Sequence, residues 1–504
     1  MKAQGEISSP SPYDSMTDEP RKPVTFLQAL FPVAGLIVFL VYGLIIRPMV
    51  QGLTAFPLEI VFLSAAVVAI AQLGFLGYSW LEIQQSIVNK LARAFPTILI
   101  LFAIGMIIGS WIASGTIPML VYYGIKIIHP DYLYLIAFVV AAIFSTLTGT
   151  SWGSAGTVGL VLIGVAITVD ANLPITAGAI IGGAFFGDKM SPLSDTTNVA
   201  ALAVDVPLFE HIHSMMYTTI PSAVMAGILY FILGFMYPVE STPEAVAQTA
   251  VILEGIQTMF NFNLLLLLPV VIVLYGSIKR KATLPVLVGS SFAACLLAIV
   301  FQKTTMADAV QSLYKGFDTS MAVWMPHIPE DLSELFNRGG LYELNDPIVI
   351  SIIVFVYVGA IDKINAMPII VESAFRWAKS RTATILSSMA STTLINAITS
   401  NQMAASFVVG EAIHSSYEKK KIPTKVLSRS LEDAGTMIEC LVPWHTTSIF
   451  LGATLGVSVY EYWNWQFLSL INIGVAITLA VTGIGCFYKS GDATKNETNQ
   501  EAST

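Results

Sequence analysis

Twelve consecutive residues, Gly187-Asp188-Lys189-Met190-Ser191-Pro192-Leu193-Ser194-Asp195-Thr196-Thr197-Asn198, put two carboxylates, an ammonium, four hydroxyls and an amide inside an otherwise apolar stretch. Hard oxygen ligands of this kind suit a small cation. A carboxylate among them can hold Na+ or H+ but not both, and that competition is the simplest exchange mechanism. Gly187 and Pro192 are expected to break the helix, freeing carbonyls and aiming two half-helix ends at one point. Asp188, Ser194, Asp195, Thr196, Thr197 and Asn198 are therefore candidate ligands, with Asp188 and Asp195 as proton exchangers. Lys189 is expected as a counter-charge, since a cation repels a cation. A buried Asp188–Lys189 pair is the plainer alternative.

A second cluster holds Glu432, Asp433, Gly435, Thr436, Glu439, Pro443, Trp444, His445, Thr446 and Thr447. Asp433 and Thr436, three apart, share a helix face and with Thr446 are candidate ligands. Glu432 is expected as a solvated charge near the cytoplasmic end. Glu439 and His445 lie deeper and form either a proton pathway or a hydrogen-bonded pair across the break. Two runs of small polar residues, Thr148–Ser154 and Thr399–Gln402, add Thr150, Ser151, Thr399, Ser400 and Asn401, although small residues also favour close helix packing. Na+ is expected at Asp195, Asn198 and Asn401. Asp362 and Lys363 read as an internal pair of counter-charges. His211 and His213, two apart, do not share a helix face and read as interfacial residues.

Several chemistries are excluded. No nucleotide-binding loop is present, which disfavours ATP-driven pumping. No nucleophile–base or metal arrangement suggests an enzyme. Cys295, Cys440 and Cys486 sit in apolar stretches without disulfide or metal spacing. A net charge of −8 with no basic stripe gives no nucleic-acid partner. No organic cofactor is expected; Na+ and H+ are the transported or coupling ions.

The elements that must position these residues follow from composition. Of the 504 residues 55% are hydrophobic and only 12% charged, with mean hydropathy +0.72. A soluble chain of this kind would expose large apolar patches; lipid as solvent removes the objection. A spanning helix needs ~20 apolar residues. Spans are expected near 24–46, 56–79, 96–128, 173–204, 215–238, 260–278, 283–302, 347–372, 426–459 and 464–487. The long ones carry breaks at Ser114-Gly115, Gly187 to Asn198, Asp362 to Pro368 and Gly435 to Thr447. Segments 132–169 and 383–414 have polar centres and arms of about 15 residues, too short to span at ~1.5 Å per residue, so they read as re-entrant hairpins.

Positive loops face the cytoplasm. Arg21-Lys22, Lys90 and Arg93, Lys279-Arg280-Lys281, Arg376, Lys379 and Arg381, and Lys419-Lys420-Lys421 are expected inside. Residues 303–346, with seven acids against three bases, are expected outside. Both termini are then cytoplasmic. Residues 24–238 and 260–487 repeat one order of spans, hairpin and broken span with opposite starting side. Pro192-Leu-Ser-Asp-Thr-Thr also parallels Pro443-Trp-His-Thr-Thr-Ser. The expected fold is an all-α polytopic membrane protein of two inverted repeats, each with five transmembrane helices, one re-entrant hairpin and broken helices. A polar tail (1–23), an extracellular linker (239–259) and a disordered tail (488–504) complete the chain.

Three strings then carry a resemblance. Gly149-Thr-Ser-Trp-Gly-Ser-Ala-Gly-Thr-Val-Gly159, Gly183-Ala-Phe-Phe-Gly-Asp-Lys-Met-Ser-Pro-Leu-Ser-Asp-Thr-Thr-Asn-Val-Ala200 with His211-Ile-His213, and Glu432-Asp-Ala-Gly-Thr436 with Val442-Pro-Trp444 resemble the NhaC family of Na+/H+ antiporters. The resemblance covers essentially residues 24–487. It implies exchange of Na+ for H+ across a bacterial cytoplasmic membrane; some members resemble exchangers of malate and lactate. It further implies a scaffold and a mobile, elevator-like transport domain, here 132–204 plus 383–459, and homodimerisation through the scaffold in the lipid bilayer. The chain departs from the family pattern at His445, where Asn is usual, at Asn401, where Asp is common, and at Glu439, where a small residue is expected. These departures raise the alternative of a Na+- or H+-coupled exchanger of a small organic anion or amino acid.

Overall fold

The computed structural model describes residues 23–239, 243–279, 281–325, 328–375 and 378–488. Most of the two tails, and the basic residues Arg21, Lys22, Arg280 and Arg376, fall outside them. Among the described residues the chain is helical throughout, with one isolated β-bridge between Phe317 and Arg338. Eight helices among the described residues are long and apolar enough to cross a membrane, or ten if two bent pairs each count as one span. Their outward faces carry large exposed apolar side chains such as Leu63, Val67, Phe231 and Leu296, which suits lipid as the solvent.

The third span differs from expectation. It begins at Trp80, under a Ser79–Glu82 capping box, and runs 34 residues to Ala113. That is about 50 Å, against a bilayer core of ~30 Å, so its polar first turns project beyond the apolar zone. Lys90 and Arg93 therefore lie on a helix and not in a loop. The expected break at Ser114-Gly115 is present: Gly115 (φ 82) opens the helix Thr116–Ile127. The expected linker is also helical, from Pro243 to Met259, and buries Ile252, Ile256 and Met259. Within 303–346, the Gly339-Gly340 turn presses into the long helix. Gly340 N–H donates to Gly105 O at 2.7 Å, and a Cβ on Gly105 would lie 2.2 Å from Gly340 O.

Two helix pairs carry the polar tips. Leu133–Thr148 and Ser151–Thr168 turn at Gly149 (φ 71); Arg381–Thr399 and Gln402–Lys419 turn at Ser400 (φ 48). The arms are longer than expected, 16 and 18 residues in the first pair, 19 and 18 in the second. Shortness is thus not what marks these segments; their polar tips are.

Two further helix breaks face these tips. Leu173–Met190 and Asp195–Leu202 flank the first break, Thr424–Glu439 and Thr446–Leu455 the second. The first break starts at Ser191, where Pro192 removes a backbone donor. Gly187, expected to open the break, stays helical because a neighbour needs the space. A Cβ on Gly187 would lie 2.3 Å from Thr146 N, and one on Gly183 2.1 Å from Phe138 O. Both glycines let Leu173–Met190 press against Leu133–Thr148.

Candidate ion and solute site at the broken helices

The two tips and the two breaks meet around one cavity of about 610 Å³. Residues 148–153 and 400–403 of the tips line it, as do Asp188, Asp195, Thr196 and Asn198 of the first break and Glu439, His445, Thr446 and Thr447 of the second. Arg93 and Lys281 also line it. Of the expected ligands, Ser194, Thr197, Thr399, Asp433 and Thr436 are not on its wall.

Asp188 ends the first half-helix and is buried. Its Oδ2 accepts from Ser151 Oγ at 2.7 Å and its Oδ1 from Ser194 Oγ at 2.6 Å. One carboxylate thus ties the first tip to the residue that caps the second half-helix. Thr197 Oγ1 donates to the carbonyls of Asp188 (3.2 Å) and Lys189 (3.1 Å), satisfying oxygens the break leaves free. Asn198 Nδ2 donates to Pro192 O at 3.1 Å and closes the loop of the break. Asp195 opens the second half-helix and is exposed to the cavity. A helix N-terminus favours negative charge there. Thr150 and Asn401 cap the outgoing arms of their tips, Asn401 Oδ1 accepting from Ala404 N–H at 2.9 Å.

The second break holds a chain of hydrogen bonds. Thr447 N–H donates to His445 Nδ1 at 3.1 Å, which puts the ring proton on Nε2, 3.1 Å from Asn396 Oδ1. Asn396 Nδ2 reaches Gly435 O at 3.0 Å and Glu439 Oε1 at 3.4 Å; Thr447 Oγ1 donates to Glu439 Oε2 at 3.1 Å. His445 and Glu439 are therefore joined through Asn396, which the sequence reading passed over.

Several expectations are corrected. Lys189 pairs with Asp433 and not with Asp188; both are fully buried, and Asn472, Thr218 and the buried Arg429, 3.9 Å from Asp433 Oδ2, join the group. Asp433 Oδ1 accepts from Thr218 Oγ1 at 2.9 Å and Asn472 Nδ2 at 3.0 Å, so it serves as the counter-charge of Lys189. Thr436 does not join Asp433. It donates to Glu432 Oε1 at 2.9 Å, on the face that also carries Glu439. Glu432 is not solvated but wholly buried, with Gln402 Nε2 at 3.1 Å. Asp362 and Lys363 do not pair with each other. Asp362 meets Lys90 at 2.7 Å and Lys363 lies 3.9 Å from Glu82, both on the long helix. His211 is buried within Leu208–Met236, against Ser428 Oγ at 2.9 Å, and is not interfacial.

Asn396 is the residue that sequence reasoning passed over; Glu432 was read as a solvated charge, Gln402 only as part of a polar run, and Arg93 and Lys281 only as cytoplasmic bases. Spacing held one clue: Glu432, Thr436 and Glu439 fall at i, i+4 and i+7, one helix face.

Comparison with known proteins adds to this geometry. A sequence model of the Na+/H+ antiporter family matches residues 183–484. An uncharacterised Na+/H+ antiporter of Haemophilus influenzae is 38% identical, over 93% of this chain and 98% of its own length. A malate-2H+/Na+-lactate antiporter of Bacillus subtilis is 33% identical over 84% of this chain and 88% of itself. The Na+/H+ antiporter NhaC of the same organism is 33% identical over 83% and 90%.

Proposed function

Because the chain belongs to the Na+/H+ antiporter family, we propose that it exchanges Na+ for H+ across a bacterial cytoplasmic membrane by alternating access. The observation that carries this is Asp188, held by Ser151 from a tip and Ser194 from a break, beside Asp195 on the cavity wall. Either cation entering there competes for carboxylates on which the contact between tip and break depends. Lys281 and Arg93 at the cavity favour an opening on the cytoplasmic side, by the charge rule for loops.

A repeat, one half of the inverted-repeat expectation, is supported by a constant spacing. Ser151 and Gln402, Leu173 and Thr424, Asp195 and Thr446, and Leu208 and Val459 each open a helix, and each pair is 251 residues apart (402 − 151, 424 − 173, 446 − 195, 459 − 208). In the same register Ser145 donates to Ala184 O at 2.6 Å, and Asn396 to Gly435 O at 3.0 Å. The Lys189–Asp433–Asn472–Thr218 group joins both broken spans to Leu208–Met236 and Phe467–Thr482. The mobile part is therefore best taken as 132–236 with 383–482, wider than the resemblance implied.

A second reading has its own support. A cavity of about 610 Å³ is far larger than a bare ion needs and falls in the ~300–1,000 Å³ range of small-molecule sites. Arg93 and Lys281 share its wall with the carboxylates. A small organic anion coupled to Na+ or H+ would fit this arrangement.

One experiment separates the two. The protein is reconstituted in liposomes with a trapped pH dye and a proton gradient, and sodium chloride alone is added. Na+/H+ antiport predicts a dye response in wild type that Asp195→Asn abolishes. A wild type silent to Na+ alone, but responsive to Na+ with malate or lactate, sinks plain antiport and supports the second reading.

A further inference from the structure

The two tips correspond in position but differ in hydrogen bonding. At the first, Ser151 donates to Asp188, Ser154 bonds Thr148 Oγ1 at 3.1 Å, and Thr150 caps the arm. At the second, Thr399 Oγ1, Ser400 Oγ and Gln402 Oε1 have no hydrogen-bond partner within the protein, though the three residues are 3%, 7% and 3% exposed. A buried polar atom without a partner is costly, and three within four residues call for a physical reason.

Glu432 lies beside them. It is 0% exposed, and its contacts are neutral donors: Gln402 Nε2, Thr436 Oγ1 and the Thr196 side chain of the first break. The buried ammonium of Lys189 is engaged by Asp433 and Asn472. Gln402 stands between the carboxylate and the cavity. Its amide nitrogen faces Glu432 and Ser406, while Oε1, on the same amide carbon, is one of the unpartnered atoms. Ser400 and Gln402 both line the cavity. In the 251-residue register Gln402 matches Ser151 (402 − 151); each donates to a buried carboxylate, Ser151 to Asp188 and Gln402 to Glu432, although the register partner of Asp188 is Glu439 (439 − 188).

We propose that Glu432, Gln402 Oε1 and Ser400 Oγ form a seat for one dehydrated alkali cation, Na+ in the first instance, separate from the Asp188–Asp195 pair. The carboxylate supplies the charge and the tip supplies neutral oxygens, the ligand set a hard monovalent ion takes in place of water. A cation arriving from the cavity meets Ser400 and Gln402 first; settling between Gln402 Oε1 and Glu432 replaces the hydrogen bond the amide now makes. Glu432 takes up a proton when the cation leaves, so that Na+ and H+ compete at this carboxylate as they do at the first break. This assignment rests on the antiport reading and adds Glu432 to the carboxylates for which the two ions compete.

The test is equilibrium binding of radiolabelled Na+ to the full chain in lipid nanodiscs, with dye-reported proton exchange measured on the same preparations. Wild type should bind Na+ saturably. Glu432→Gln should weaken binding by about tenfold or more, the factor expected when a charged ligand is lost. Ser400→Ala, which removes one neutral oxygen and disturbs no charge, should weaken it severalfold and decides the matter should Glu432→Gln fold poorly. Binding within twofold of wild type in both variants, or no saturable Na+ binding in wild type, overturns the site. Intact exchange with unchanged binding in the variants overturns the site alone. Glu432-dependent binding without Na+-driven proton movement in wild type overturns the antiport reading and leaves the site standing.

Discussion

At the scale of residues, the acidic side chains of the interior fall into two sets. Asp433 is neutralised at contact by Lys189. Asp188, Asp195, Glu432 and Glu439 make no ion pair with Lys or Arg among the described residues and take only neutral donors. The two sets should respond differently to substitution. Asp433→Asn strands the Lys189 ammonium and should cost about 3–5 kcal/mol, the price of breaking a buried pair, read as a lowered unfolding temperature of the purified protein. Asp195→Asn, on the cavity wall, should leave unfolding within ~0.5 kcal/mol of wild type, as surface changes usually do, while removing transport. Equal loss of stability in both variants would contradict the division. Sequence reading found Asp188, Asp195, Glu439 and His445 as interior groups because polar residues stand out in apolar stretches. It could not assign partners. Asp362 and Lys363 are adjacent in sequence, yet their partners Lys90 and Glu82 lie more than 270 residues away, and adjacency says nothing about which helix packs alongside.

At the scale of elements, the tips and breaks were legible because their causes are local. Gly149 supplies the left-handed turn of the first tip, and Pro192 ends the helix before the first break. Gly187 was misread for the opposite reason, since its role is set by a neighbouring helix and not by its own chain. That gives a prediction. Gly187→Ala puts a Cβ 2.3 Å from Thr146 N and 2.5 Å from the Ser145 side chain. The overlap falls on backbone, so the helices must separate, and about 1–3 kcal/mol of stability should be lost, measured by thermal unfolding. A neutral outcome would mean that the contact between Leu173–Met190 and Leu133–Thr148 is looser than described. The start of the long helix at Trp80 was hidden because a hydropathy window sees only the part that meets lipid. The helix Pro243–Met259 was hidden because the sequence reading placed a linker there, although Ile252, Ile256 and Met259 fall on one face.

At the scale of the molecule, a multi-pass helical bundle was readable from composition alone, and the membrane-length helices agree with it. The meeting of four distant segments around one cavity was not readable, because it depends on long-range packing. That convergence makes the central claim testable as a whole: Na+ and H+ compete for one set of carboxylates reached from one cavity. The most direct measurement is the half-saturating Na+ concentration for proton exchange in liposomes, taken across a series of pH values at the cavity side. Competition predicts that acidification raises this concentration, approaching about tenfold per pH unit where the site is mostly protonated, with the maximal rate preserved at saturating Na+, as mass action at a shared site requires. A half-saturating concentration that stays constant while only the maximal rate changes with pH would contradict the account, placing the proton on a group that Na+ never meets.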